Sequence, residues 1–262
     1  MVDLPKANLA NKDLSGLNLT GADLSGLDLT GFDLSGADLS WATLFGTDLT
    51  SADLTDTTLT NIYSDNITGT PTLPAAYGML NGRIVGPGVN LTSANLTDVD
   101  LTGFDLSGTN LNGTTLTGAT LTDVASGSIS GSPTLPAAYG MFNGYIVGPG
   151  VDLTNANLTR ADFTGFDLSS TDLTGATLTG VSSGGSITGT PTLPAGYGMF
   201  NGYIVGPGVD LTSANLTDVD LTGFDLTGAT LTGVSSGGSI TGTPTLPAGY
   251  GMFDFESLCH QL

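Results

Sequence analysis

This chain of 262 residues is nearly without the residue types on which most catalytic and metal sites depend. It has one cysteine, one histidine and one glutamate, and all three lie in the segment 254–262. A lone cysteine excludes an internal disulfide. Cys259 and His260 are adjacent, but a nucleophilic pair also needs an orienting residue and a pocket. Nucleotide-binding loops, zinc-ligand clusters and EF-hand loops do not occur in the sequence. We therefore predict that the protein is not an enzyme and needs no cofactor.

Positive charge and long apolar runs are also scarce. Four lysines and arginines stand against 24 acidic residues, which gives a formal net charge of −20. This sign argues against nucleic acid as a direct ligand and against binding to anionic membrane surfaces. No apolar run approaches the length of about 20 residues that a membrane span requires. The start of the chain lacks the apolar stretch of a signal peptide, which favours the cytoplasm. The composition would also fit an extracellular protein, so the localisation stays open.

What the sequence does contain is leucine at every fifth position over its first sixty residues. Each unit reads A-D/N-L-S/T-G, with a small apolar residue two positions before the leucine. In a helix, a five-residue step rotates by about 140° and scatters the leucines around the cylinder. In a straight strand, an odd step places successive leucines on opposite faces. The chain must therefore turn a corner once per unit. The leucines are Leu4, Leu9, Leu14, Leu19, Leu24, Leu29, Leu34, Leu39, Leu44, Leu49, Leu54 and Leu59.

The pair of residues after each leucine is suited to such a corner. Glycine relaxes the backbone restriction, and the Ser or Thr hydroxyl can bond to nearby main chain. If each corner is about 90°, four units close a square coil of about 20 residues, and successive coils stack roughly 4.8 Å apart. The spacing thus predicts a cornered solenoid with aliphatic side chains inside and Asp or Asn outside.

The repeat resembles that of the pentapeptide repeat family. The resemblance is carried by the strings GADLSGLDLTGFDLSGADLS at 21–40, SANLTDVDLTGFDLSGTNL at 93–111 and SANLTDVDLTGFDLTGATL at 213–231. It implies an all-β fold, a right-handed quadrilateral β-helix. Handedness and the four-sided section come from the resemblance, whereas the spacing itself gives the corners.

Inserts of a second repeated sequence, LPAxYGMxNGxIVGPG, separate four blocks of pentapeptide units. We predict one elongated solenoid domain over residues 1–253, followed by a non-repeat tail at 254–262. The blocks hold twelve, seven, six and five units. If the inserts span equal numbers of corners, each insert should leave the solenoid one corner away from the previous insert. The blocks span about 2–61, 89–123, 151–180 and 209–233.

Each insert contains an Asn-Gly pair between two short apolar runs, which predicts a hairpin with a type I′ turn. The residue after the glycine is Arg83, Tyr145 or Tyr203, and this variation predicts that the position points to solvent. The isoleucine that follows is predicted to point inward. The Asn-Gly pairs are Asn81-Gly82, Asn143-Gly144 and Asn201-Gly202.

Aspartates form the first candidate functional feature. At 20 residues per coil, Asp13, Asp33 and Asp53 stack in one column, and Asp28 and Asp48 stack in another. These columns are interpreted as a solvated surface whose carboxylates accept hydrogen bonds at the corners. One alternative is divalent-cation binding, with calcium as the candidate ion. A further alternative comes from the family, some members of which are acidic rods that occupy the DNA-binding surface of bacterial type II topoisomerases. By that resemblance the chain would be a DNA mimic.

Exposed aromatic residues form the second candidate feature. Trp41 and Phe45 fall on corner positions predicted to face outward, and Tyr145 and Tyr203 occupy the variable hairpin position. Aromatic residues are enriched at protein interfaces. Solenoid ends also expose unpaired backbone groups unless they are capped. The sequence therefore predicts a non-catalytic structural or protein-interaction scaffold, whose partner is another protein or a second copy bound through the solenoid ends.

Overall fold

The computed structural model describes residues 10–236, 240–253 and 257–258. The chain divides into two compact units, residues 1–137 and 138–262. The single domain over 1–253 stays a prediction. Most of the tail 254–262, including Cys259 and His260, lies outside the described residues.

Each unit is built from four-sided rungs, each made of four successive repeats. In the first unit, parallel bridges join residues that are mostly 20 positions apart, as between Asp13 and Asp33. The bridges that begin at Asp13, Asn18, Asp23 and Asp28 form four columns, one on each face, and each column is named here by its first member. The Asp13 column continues through Asp33, Asp53 and Thr72; the Asn18 column through Asp38 and Thr58; the Asp23 column through Thr43, Tyr63, Asn90, Asn110 and Ser130; the Asp28 column through Asp48 and Thr68.

Leucines fill the interior of the rungs. Leu24, Leu29, Leu34 and Leu39 belong to four successive faces, and all four are at most 1% exposed. On each face the outward residue lies between two inward ones, as Thr43 lies between the buried Ala42 and Leu44. The predicted cornered solenoid with an aliphatic core is confirmed.

The corners depend on the last residue of each unit. This residue adopts a left-handed backbone conformation, with φ of 66° at Gly26, 56° at Ser51 and 56° at Asn61. Glycine adopts this conformation without a steric penalty, and short polar residues tolerate it better than other residues do. The corner therefore accepts several residue types, although glycine is the most frequent.

The extended strands of the described residues pair into short antiparallel hairpins. Their turns contain Asn81 with φ of 50° and Gly82 with φ of 72°, and the equivalent Asn-Gly pairs also have positive φ at both residues. The type I′ turns predicted at the three Asn-Gly pairs are confirmed. The strands pair as β1 (Gly78–Leu80) with β2 (Arg83–Val85), β3 (Gly140–Phe142) with β4 (Tyr145–Val147), β5 (Gly198–Phe200) with β6 (Tyr203–Val205), and β7 (Met252–Phe253) with β8 (Ser257–Leu258).

The first hairpin is fixed to its own rung by side chains of both elements. Ile84 is fully buried, as predicted, and its N–H donates a hydrogen bond of 2.9 Å to the buried Ser64 Oγ. Arg83 forms an ion pair of 2.8 Å with Asp65, and its side chain is only 12% exposed. The prediction that this position points to solvent is therefore wrong for Arg83, because the hairpin folds back over Asp65.

Aromatic rings hold each insert against the body of its unit. The Tyr77 hydroxyl donates a hydrogen bond of 2.8 Å to the Pro87 carbonyl. A Cβ atom at Gly86 would collide with the Tyr77 ring, and one at Gly78 would lie 2.7 Å from the Phe104 ring. Glycine is required at both positions because the rings occupy the space of a side chain. The second unit repeats this arrangement at Tyr139 with Gly148 and Phe166 with Gly140, and at Tyr197 with Gly206 and Phe224 with Gly198.

The inserts leave their rungs from adjacent faces. In the first unit, the first insert follows Thr72, and the second follows Thr134, which lies one face earlier in the coil. In the second unit, the third insert follows Thr192 and the last follows Thr245, one face later. Within each unit, the predicted displacement by one corner is confirmed, but its sense differs between the units.

Candidate interaction surface

The aspartate columns are part of the corner structure. The carboxylate Oδ1 of Asp53 accepts hydrogen bonds of 2.8 Å from the N–H and 2.5 Å from the hydroxyl of Thr55. Asp13 accepts the same pair of bonds from Ser15, at 3.0 and 2.7 Å. Aspartate side chains commonly stabilise turns through bonds to the backbone two residues on. The outward carboxylates thus have a structural role in forming the corners.

These hydrogen bonds also determine how the carboxylates titrate. The hydroxyl and the N–H of Thr50 lower the pKa of Asp48, because both bond to the ionised form. The nearby charge of Asp28 raises this pKa, but by less than the bonds lower it. Bonds from Ser15 and Thr55 likewise lower the pKa of Asp13 and of Asp53. The carboxylates of Asp13, Asp48 and Asp53 therefore stay ionised at neutral pH.

The predicted cation-site residues are brought together as expected. Asp13, Asp33 and Asp53 are consecutive in one column, and Asp28 and Asp48 are consecutive in another. Among the residues that the structure describes, no group of three or more Asp, Glu, His or Cys is arranged to hold a metal ion. Calcium binding by these aspartates stays a prediction.

One outer face of the first unit carries exposed aromatic side chains. Trp41 is 64% exposed and Phe45 is 47% exposed. They lie two residues before and two residues after Thr43, so they mark the two edges of a single face of the Asp23 column. In the preceding rung these edge positions are held by Gly21 and Ser25.

The next rung extends this surface with a third ring. Tyr63 follows Thr43 in the same column and is half-buried. The name aromatic face is used here for Trp41, Thr43, Phe45 and Tyr63. At about 3.3 Å per residue and about 4.8 Å per rung, this surface is about 13 Å wide and two rungs deep.

Charged residues surround the aromatic face. Asp23 precedes Thr43 in the column, and Asp38 and Asp48 lie on the two neighbouring faces of the same rung. Asp65 lies beside Tyr63 and is paired with Arg83. The border of the aromatic face is therefore predominantly negative.

The other two predicted interaction residues make contacts within the second unit. Tyr145 is half-buried, and its hydroxyl accepts a hydrogen bond of 3.3 Å from the Asn157 N–H. Tyr203 is also half-buried, and its ring lies against Gly185. Neither side chain points freely into solvent, and a role for them in binding a partner stays a prediction.

Sequence reasoning missed two equivalent open cavities beside the inserts. One of about 190 Å³ lies between Tyr77 and Phe104, and one of about 160 Å³ lies between Tyr139 and Phe166. The signal was available, because tyrosine recurs in every insert and phenylalanine recurs in the TGFDL string after it. Their contact depends on how the insert folds over the following rung, which the repeat pattern does not specify.

Solved structures of other proteins resemble this chain. HetL from the cyanobacterium Nostoc sp. strain PCC 7120, a pentapeptide repeat protein involved in heterocyst differentiation regulation, is 24% identical, with coverage of 88% of this chain and 90% of HetL and a TM-score of 0.24. Rfr23 from the cyanobacterium Cyanothece 51142 is 22% identical over 50% of this chain and 95% of Rfr23, with a TM-score of 0.27. QnrB1, a plasmid-mediated fluoroquinolone resistance protein, is 14% identical over 85% of this chain and 90% of its own, with a TM-score of 0.19.

Three further findings complete the comparison. No curated protein matches the chain by sequence. Within the described ranges, none of the helices has the length and apolar character needed to cross a membrane. The model of the family described as pentapeptide repeats matches residues 2–36, 28–61, 88–124, 150–182 and 207–235, which is more than half of the chain. Its fold, a right-handed quadrilateral β-helix, agrees with the four-sided rungs of both units. The chain belongs to the pentapeptide repeat family.

Proposed function

We propose that this protein is a non-catalytic interaction scaffold that binds another protein through the aromatic face. Pentapeptide repeat proteins are generally non-catalytic, and they often mediate protein interactions. The observation that carries the proposal is the exposure of Trp41 and Phe45 at the two edges of one face.

The fold itself does not require aromatic residues at these positions. Gly21 and Ser25 occupy the equivalent positions in the preceding rung. The backbone is the same in both rungs: Gly21 has φ of 67° and Trp41 has φ of 63°, and Ser25 and Phe45 both lie in turns. A large aromatic side chain buries about 150–250 Å² when it is covered. Tryptophan is also among the residues that most often dominate binding energy at interfaces. A binding role therefore explains why these two rings are exposed, since a partner that covers them would bury their apolar surface.

The test replaces Trp41 and Phe45 with the residue types that hold the equivalent positions in the preceding rung. The full chain, the double variant Trp41→Gly/Phe45→Ser and the control Leu27→Ala are immobilised and exposed to extract from the cells of origin. Leu27 is 38% exposed on the neighbouring face, and alanine holds its place in other units. Retained proteins are quantified by mass spectrometry, and each candidate is purified and its direct binding measured.

We expect at least one protein to bind directly to the wild type and to Leu27→Ala, and to be lost from the double variant. A set of direct binders that is the same for all three proteins would refute the role of the aromatic face. Circular dichroism of each variant checks that the β-helix is retained.

Association through the solenoid ends stays a prediction, because residues 1–9 and 259–262 lie outside the described part of the chain. Sedimentation velocity over a range of protein concentrations measures it directly. DNA mimicry and calcium binding also stay predictions. Both depend on the aspartate columns, whose longest run of carboxylates among the described residues is Asp13, Asp33 and Asp53.

A further inference from the structure

The aromatic face combines two kinds of chemistry within a small area. Trp41 and Phe45 present ring surfaces to solvent. Asp23, Asp38 and Asp48 place carboxylates on the preceding rung and on both neighbouring faces. Asp38 is three residues from Trp41 and Asp48 is three residues from Phe45, which is about 10 Å along the chain at the residue spacing of β-structure.

We infer that the aromatic face binds a cationic segment of a partner protein, with arginine side chains stacked on Trp41 and Phe45 and paired with the surrounding carboxylates. This inference rests on the proposed function and specifies the chemistry of the partner. A cation over the face of tryptophan is attracted by the ring quadrupole, and the attraction is strongest for tryptophan among the aromatic residues. Arginine adds planar stacking and bidentate hydrogen bonds to carboxylates.

Charge complementarity selects this occupant over the others. A second copy of the chain brings a net charge of −20 with only four cationic side chains, so face-to-face contact would be repulsive. A purely apolar partner would cover Trp41, but it would also remove water from Asp38 and Asp48 without offering hydrogen bonds in its place. This loss is costly for ionised carboxylates. A cationic segment can stack on the rings and pair with the carboxylates at the same time.

The carboxylates are ready to accept such a partner. The backbone N–H groups of Ser40 and Thr50 donate hydrogen bonds to Oδ1 of Asp38 and Oδ1 of Asp48, which fixes both side chains on the two neighbouring faces. The Asp65 charge is already paired with Arg83, so it contributes little to the field. The chain itself contains a contact of the proposed kind, because Lys12 Nζ lies 5.8 Å from the centre of the Phe32 ring.

Trp41 is the only tryptophan in the chain, so its fluorescence reports on the aromatic face alone. The probes are three nine-residue peptides that alternate glycine with arginine, glutamate or tyrosine. Each is titrated into the full-length protein at low salt, and Trp41 emission is followed. We expect a saturable change with the arginine peptide, and none with the glutamate peptide.

Anisotropy of a labelled arginine peptide then compares the variants. The double variant Trp41→Gly/Phe45→Ser loses two rings, each with a cation–π contribution of about 0.5–2 kcal/mol. At about 1.4 kcal/mol for each factor of ten, it should bind roughly 5- to 700-fold more weakly. Asp38→Asn/Asp48→Asn should also weaken binding, because asparagine keeps the corner acceptor but not the charge. The matched control is Asp33→Asn/Asp53→Asn, which removes the same charge from the opposite face.

The outcomes separate this inference from the proposed function. Equal weakening by both pairs of Asn variants would overturn the inference, since binding would then follow net charge and not the aromatic face. A saturable response to the tyrosine or glutamate peptide without a response to the arginine peptide would overturn the cationic partner but leave the interaction role of the face. No response of Trp41 to any peptide would overturn the inference, and the capture experiment would then decide the proposed function independently.

Discussion

Replacing Ser64 with alanine removes one of the bonds that fix the first hairpin to its rung. The Ser64 hydroxyl is 1% exposed and accepts a hydrogen bond of 2.9 Å from the Ile84 N–H. Ile84 is fully buried, so its N–H cannot bond to bulk water when this acceptor is lost. The second unit repeats the bond between the Ile204 N–H and Ser183 Oγ at 3.1 Å.

The expected cost follows from leaving one buried donor unsatisfied. Such a loss costs about 1–3 kcal/mol, whereas the change in apolar surface between serine and alanine is small. At about 1.4 kcal/mol for each factor of ten, hairpin opening becomes about 5- to 140-fold more frequent. The hairpin can open while the rungs stay folded, because its opening is a local event.

Amide hydrogen exchange at Ile84 measures this opening directly. We expect Ser64→Ala to accelerate exchange at Ile84 within this range, and Ser183→Ala to do the same at Ile204. Ser132→Ala, at an exposed serine of the first unit, is the control and should leave exchange at Ile84 unchanged. Exchange at Ile84 that is as slow in Ser64→Ala as in the wild type would refute the reasoning.

Three further predictions concern the corners and turns. Gly26 has φ of 66° with open space around it, whereas a Cβ atom at Gly69 would collide with the Thr50 backbone. Gly69→Ala should therefore lower the free energy of unfolding in urea by about 1–3 kcal/mol more than Gly26→Ala does. Equal losses would contradict the packing at Gly69. Ala76 has φ of 70°, so Ala76→Gly should raise the free energy of unfolding by up to about 1.5 kcal/mol, while Ala75→Gly should lower it by about 0.4–1 kcal/mol. Bonds from Thr55 lower the pKa of Asp53, so the stability they contribute is fully present above the unfolded pKa of about 3.9 and is lost as pH falls through the folded pKa. Asp53→Asn keeps an acceptor without titrating, so its urea midpoint should fall less than that of the wild type between about pH 5 and about pH 2; an identical fall would contradict the role of the carboxylate.

The rungs could be predicted from the sequence because their period is strictly local. A leucine every fifth residue allows neither a helical face nor a flat strand, so Leu24, Leu29, Leu34 and Leu39 had to lie on successive walls. The Asn81-Gly82 turn was predictable for the same reason, since two adjacent residues determine its backbone.

Contacts between segments distant in sequence could not be predicted in this way. The pairing of Arg83 with Asp65 depends on where the hairpin lies over its rung. Variation between Arg83 and tyrosine in the other inserts indicated solvent exposure, but a long side chain of either kind can cover a neighbouring corner. The contact of Phe104 with Gly78 likewise depends on the fold of the insert.

For the candidate site, the sequence predicted the exposure of Trp41 and Phe45 from their corner positions, and the structure confirms it. It did not predict that Tyr63 joins them. That needs the column assignment, in which residues 20 positions apart become neighbours on one face.

Acrylamide quenching of Trp41 fluorescence tests the central claim most directly, because the aromatic face depends on this side chain being open to solvent. The exposure of 64% predicts that the quenching constant of the folded protein is of the same order as that of the urea-unfolded chain, with red-shifted emission in both states. Blue-shifted emission and a quenching constant many times smaller in the folded protein would show that Trp41 is buried, and would contradict the account.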